Sequence, residues 1–205
     1  MTVVKPFSRW RPHPWQGLDV GPAPPSLVTA YIEITPFESV KYELDKGTGS
    51  IRIDRPQRTS AQPPSLYGFI PLTLCGDQGA ALSSAEVEHA DRDPLYICVL
   101  SERPVNRSYL IMNARVVGGL QMIDDGEADD KIIAVLENDH IWGDSTDLDS
   151  IADIFVERLM HYFSTYKLVP GKPSAVTVTH TYNREHAEKV VLAAMADYQQ
   201  TFGGA

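Results

Sequence analysis

The run Met122-Ile-Asp-Asp-Gly-Glu-Ala-Asp-Asp-Lys131 holds five carboxylates and one ammonium in ten residues, and leads directly into the apolar stretch Ile132–Leu136. Crowded acids repel one another and oppose folding unless a cation sits among them, so acids at the lip of a buried strand point to a divalent-metal site. A second patch, Asp91-Arg-Asp93-Pro94, stands in the same relation to Leu95–Leu100.

Asp91, Asp93, Asp124 and Asp129 are hard oxygen donors, and no His or Cys is spaced to complete a zinc site with them. Oxygen-only ligation fits Mg²⁺, with Mn²⁺ as a substitute; such ions bind few carboxylates and take further ligands from substrate phosphates. Lys41, Arg55, Lys131 and Lys167 supply positive charge to neutralise phosphates, and Tyr67 and Tyr166 supply hydroxyl donors. Each feature has a plain alternative. The acidic run reads on its own as a solvated turn, Lys41 and Glu43 as cross-strand surface charges, and Tyr166-Lys167 as a helix end with a dipole-favoured lysine. It is their joint occurrence that favours a site. His13, His161, His180 and His186 lack ligand spacing and read as structural.

The elements that must position these groups are legible in outline. Residues 1–27, rich in proline and carrying Trp10 and Trp15, read as an extended arm laid on the domain. Alternation from Val28 to Ile34, from Val40 to Leu44 and at Ile51 and Ile53 predicts strands, the last two joined as a hairpin through Lys46–Gly49. Residues 56–66, with three prolines, predict a surface loop, and the small and polar stretch 75–90 predicts a long inserted loop whose Asp77, Glu86 or Glu88 could add a carboxylate to the site. Further strands are expected at 95–100, 109–117, 131–136 and 175–180. Leu148, Ile151, Phe155, Leu159, Tyr162 and Tyr166 recur at helical steps behind Thr146-Asp-Leu-Asp149, which resembles a capping box; a final helix opens at Asn183 and ends before Gly203. Short strands followed by two helices imply a mainly β domain, a small barrel with flanking helices packed outside.

At 205 residues the chain fits a single domain, 1–205, and its composition is that of a globular protein without a membrane-length apolar run or a secretory signal. The formal charge of −9 disfavours nucleic acid as a partner, because phosphate backbones are bound through Lys and Arg. Cys75 and Cys98 lie in apolar settings and read as buried free thiols in a reducing cytoplasm.

The order Lys41-Tyr-Glu-Leu-Asp-Lys46, Asp54-Arg55, Tyr67-Gly-Phe-Ile-Pro71, Asp91-x-Asp-Pro94, Met122-Ile-Asp124, Asp129-Asp-Lys-Ile-Ile-Ala-Val135 and Tyr166-Lys167 resembles the family I soluble inorganic pyrophosphatases, from about Trp15 to Lys167. Beyond Lys167 the likeness is only that of a generic strand and helix. The resemblance implies a five-stranded OB-like β-barrel, Mg²⁺-dependent hydrolysis of pyrophosphate to two phosphates, and a homo-oligomer, a hexamer in bacterial members. It implies that Asp93 is the base on the attacking water. Asp91, Asp124 and Asp129 are implied as metal ligands, with Glu33 and Glu43 holding further metals or their waters. Lys41, Arg55, Tyr166 and Lys167 form the implied phosphate clamp, with Lys131 and Tyr67 beside it.

The chain departs from the family pattern where Asp-x-Asp-Pro-x-Asp ends in Tyr96, and where Pro63 and Leu66 replace the usual Tyr and Asn. The first bears on metal charge and the second on packing. The alternative that follows is a catalytically impaired paralogue that binds metal and phosphate or serves as an assembly subunit.

Overall fold

The computed structural model describes residues 12–83, 87 and 89–203. Its main sheet contains β1 (Leu27–Ile34), β4 (Leu66–Phe69), β5 (His89–Ala90), β6 (Tyr96–Leu100), β7 (Leu110–Asp124), β8 (Glu127–Ala128), β9 (Lys131–Leu136) and β10 (Val176–Asn183). Antiparallel pairs β1–β4, β4–β6, β9–β7 and β7–β1, with the parallel pair β6–β9, make a ring of five strands. This is the expected OB-like arrangement. β2 (Val40–Leu44) and β3 (Ile51–Pro56) form a separate antiparallel hairpin, as the turn chemistry at Lys46–Gly49 predicts.

Side-chain alternation divides the core. Val28, Ala30 and Ile32 of β1, Ile97 and Val99 of β6, and Ile132 and Ala134 of β9 turn to one side, where they pack with Ala187, Val190, Val191 and Ala194 of α3 (Arg184–Phe202). Cys98, Leu100, Leu120, Met122, Ile133 and Val135 turn to the other side, beneath Leu159, Tyr162 and Phe163 of α2 (Asp153–Thr165). Both C-terminal-half helices therefore flank the strands. Asn183 caps α3 by accepting from His186 N at 3.1 Å, as its sequence position predicts.

Four expectations are corrected. The helix predicted to include Leu148 begins at Asp153: Asp147 instead caps a 3₁₀ turn, Leu148–Ser150, and Ile151 is extended. The apolar period runs through this break because Leu148 and Ile151 pack into the same cluster as α2. The strand expected at 109–117 continues to Asp124, since residues 116–122 are buried on both faces and lose the alternation that marks a half-exposed strand. The strand expected at 175–180 likewise runs to Asn183, paired with β7 on both sides of an irregularity between Val178 and His180. The predicted 75–90 loop contains a helical turn, α1 (Asp77–Ala80), and the edge strand β5, with Asp197 of α3 accepting from Gln78 N and Gly79 N at 3.1 and 3.0 Å. Glu86 and Glu88 lie outside the described residues, as does Trp10 of the arm. Trp15 is buried, donates to Thr73 O at 2.7 Å, and meets Tyr198 and Phe202 edge-on.

Among the described residues, no helix is long and apolar enough to cross a membrane.

Candidate active site

The polar ends of the α2-covered strands make the site. Tyr96 and Lys131 open the parallel strands β6 and β9 as direct register partners, and Asp124 closes the neighbouring antiparallel strand β7. Lys131 shares its side of the sheet with Ile133 and Val135, and Asp124 shares its side with Leu120 and Met122. Where α2 stops covering the apolar part, these strand ends border a cavity of about 230 Å³, also lined by Lys41, Arg55, Tyr67, Asp91, Asp93, Glu127, Asp129, Tyr162, Phe163, Tyr166 and Lys167.

Local chain geometry aims the acids. Asp125 and Gly126 both have positive φ, at 54° and 90°, and join β7 to β8 in a two-residue turn that sets Asp124 opposite Glu127. In the next three residues the alternation separates near neighbours: Asp129 and Lys131 reach the cavity, whereas Asp130 turns inward and accepts from Tyr182 Oη at 3.0 Å. Arg92, at φ 59°, bends the second patch so that the Asp91 carboxylate accepts from Asp93 N at 2.9 Å.

The charges are tightly coupled. Lys131 is buried and ion-paired to Asp129, Lys167 to Asp124, and Lys46 to Asp93. Burial, followed by the neighbouring Asp129 carboxylate, pushes Asp91 up to about 8. Burial lowers Lys131, but Asp129 and Asp91 more than offset it, leaving that ammonium above the ordinary lysine value. Burial holds Tyr67, Tyr96 and Tyr166 above the usual phenol range, so all three present neutral hydroxyls.

The basic wall comes from the hairpin and the end of α2. Lys41 and Arg55 are cross-strand partners, and both pair with Asp54, Lys41 at 2.8 Å. Tyr166 is the C-cap of α2, with Lys167 next to it. Five carboxylates and four cations thus face one space.

The chain matches the family model described as inorganic pyrophosphatase over residues 30–199. The inorganic pyrophosphatase of Chlamydia muridarum is 40% identical over 199 residues, covering 93% of this chain and 95% of that protein. That of Chlamydia caviae is 41% identical, covering 93% and 92%. The crystal structure of inorganic pyrophosphatase from Thermus thermophilus superposes with a TM-score of 0.77 at 33% identity, over 91% of this chain and 99% of that one.

The chain belongs to the inorganic pyrophosphatase family. The family match continues well past Lys167, so β10 and α3 belong to the shared fold more closely than their generic sequence pattern suggests.

Ten of the twelve residues expected in a pyrophosphatase site line the cavity; Glu33 and Glu43 do not. Glu33 is buried, accepts from Leu44 N at 2.7 Å, and is pushed up to about 8 by that burial. Glu43 is held by Lys41 at 3.2 Å and Arg52 at 2.6 Å. Among the described residues, no three acids, histidines or cysteines stand close enough to form a ready-made cation cage. Lysines pair individually with three of the five lining carboxylates, Asp93, Asp124 and Asp129. The donor chemistry nonetheless fits the divalent metal required by the family: five carboxylates line the cavity and, among the described residues, no His or Cys does, while Asp91 is raised first by burial and then by the Asp129 carboxylate, a charge that a cation offsets.

Sequence reasoning missed Glu127, Tyr162 and Phe163 in the lining and the Lys46–Asp93 pair. Glu127 lay within the acidic run, and Lys46 within the quoted hairpin motif, but neither has a spacing that reveals where its side chain points. Asp77 does not line the cavity; it is exposed and pairs with Arg92 at 2.8 Å.

Proposed function

We propose that the chain works as a single-domain, Mg²⁺-dependent inorganic diphosphatase that splits pyrophosphate into two phosphates, with Mn²⁺ able to replace Mg²⁺. The observation that carries this reading is the meeting, in one cavity, of a carboxylate floor with a wall of Lys41, Arg55, Tyr166 and Lys167. A dianionic phosphoryl group needs that pairing, because its charge must be neutralised while water is activated beside it.

In this reading Asp91, Asp124 and Asp129 hold the metal, with Glu33 and Glu43 supporting further ions or their waters from behind the lining. When bound, the metal polarises phosphoryl oxygens and brings water toward ionisation near neutrality. Lys41, Arg55 and Lys167 grip the phosphate oxygens, and Tyr67 and Tyr166 donate from their neutral hydroxyls. Asp93 takes a proton from the attacking water as its oxygen bonds to phosphorus. The bridging P–O bond breaks, and its electron pair leaves with the second phosphate, whose growing charge Lys131 and the clamp stabilise. No covalent enzyme intermediate is involved. Retention of both acidic and basic halves of the lining favours this reading over a catalytically impaired paralogue.

The same reading places the protein in the cytoplasm as a homo-oligomer, a hexamer, acting on pyrophosphate rather than on nucleic acid or membranes. Two free cysteines support a reducing compartment, and the acidic net charge disfavours nucleic acid. Release of phosphate from pyrophosphate in the presence of Mg²⁺, abolished by a chelator and restored by adding back the ion, tests the function; release that ignores the chelator overturns it. Sedimentation velocity tests the hexamer.

A further inference from the structure

Tyr96 lies inside the cavity, and its ring is fixed there. It stacks on Tyr67 with centroids 5.1 Å apart and planes within 8°, and Tyr67 is braced in turn by Phe163 at 5.9 Å. The Lys131 Nζ stands 4.7 Å from the Tyr96 ring centroid, and the same ammonium is ion-paired to Asp129. Lys131 is 1% exposed, so it cannot exchange a lost partner for solvent.

This arrangement raises a problem that the Asp129 pair cannot solve alone. If Asp129, which with Asp91 supports this ammonium, gives its oxygens to a divalent cation, Lys131 loses its ion-pair partner and meets a second positive charge. An electron-rich ring face at this distance attracts the ammonium without competing for the metal's ligands. We propose that Tyr96 is a positioning residue that retains Lys131 through its ring face when Asp129 turns to a divalent cation, keeping the ammonium directed at the phosphate. The inference rests on the reading of Asp129 as a cation ligand. In it, the aromatic ring, not the hydroxyl, carries the role.

Substrate-free Mn²⁺ binding, followed by electron paramagnetic resonance on the full chain, tests this directly. Tyr96→Phe keeps the ring face and is expected to bind Mn²⁺ within about twofold of the wild type. Tyr96→Leu and Tyr96→Met fill the space without a π face; Lys131 then clings to Asp129, and Mn²⁺ affinity is expected to fall by about tenfold. KM for pyrophosphate should rise in the same two variants and not in Tyr96→Phe. Two apolar replacements guard against one that fails to fold, with thermal unfolding as the check. Asp129→Asn separates the layers of the argument. If it binds Mn²⁺ like the wild type, the ligand assignment falls and takes the proposal with it. If it loses Mn²⁺ while Phe, Leu and Met behave alike at Tyr96, the ligand assignment stands and the role of the ring is overturned.

Discussion

Lys46, in the turn of the β2–β3 hairpin, is ion-paired to Asp93 across the mouth of the site. Its backbone carbonyl meets His13 Nε2 at 3.1 Å, and its ammonium lies 6.0 Å from the Trp15 ring. The arm, the hairpin and the aspartate assigned as base are therefore linked. Because both partners are partly exposed, Lys46→Gln should change stability by less than about 1 kcal/mol. Removing the positive charge should strengthen Mg²⁺ binding by roughly fivefold, the equivalent of about 1 kcal/mol at close range in a water-like dielectric. Isothermal titration with Mg²⁺ checks this, and an unchanged affinity contradicts it.

Lys131 presents the opposite case, a buried ammonium serving Asp129 and raised by Asp91 as well. Lys131→Met removes one side of that pair and leaves crowded carboxylates behind. Breaking a buried pair from one side destabilises by about 3–5 kcal/mol. Urea unfolding in a chelator should show a loss of that order, and Mg²⁺ should recover part of it.

Much of the fold was legible because strands of alternating residue type and amphipathic helices write their periods into the chain: β1, the β2–β3 hairpin and α3 with its Asn183 cap follow that pattern. β7 was cut short because residues 116–122 are buried on both faces and show no period. The start of α2 was misplaced because a core contact at helical spacing does not require a helix, as Leu148 and Ile151 show. Of the site, residue types and order were readable. Orientation was not. Asp129 reaches the cavity and Asp130 does not, a difference fixed by strand register and by the Tyr182 hydroxyl from β10.

Gly68, inside the Tyr67-Gly-Phe69 motif, is constrained by close backbone approach. A Cβ there would sit 1.8 Å from the Tyr31 carbonyl oxygen, beside the irregular register of the β1–β4 pair. Because the obstacle is backbone, Gly68→Ala must push β4 outward and carry Tyr67 with it. Thermal unfolding should report a loss of about 3 kcal/mol or more, at or beyond the upper end of overpacking effects, with activity reduced alongside.

Divalent cations should stabilise the fold. A ligand that binds the native state alone adds about 2.7 kcal/mol at a hundredfold excess over its dissociation constant. Mg²⁺ should raise the unfolding midpoint of the wild type measurably. Asp91→Asn and Asp129→Asn should blunt that response, because each removes a crowded carboxylate.

The most direct measurement is steady-state phosphate release from pyrophosphate with saturating Mg²⁺, wild type beside Asp93→Asn. The wild type is expected to turn over, and the variant to lose about 10²–10⁴-fold in rate while retaining its unfolding midpoint and, at saturating Mg²⁺, its bound metal. A wild type at background despite bound Mg²⁺, or a folded Asp93→Asn protein as active as the wild type, contradicts the account.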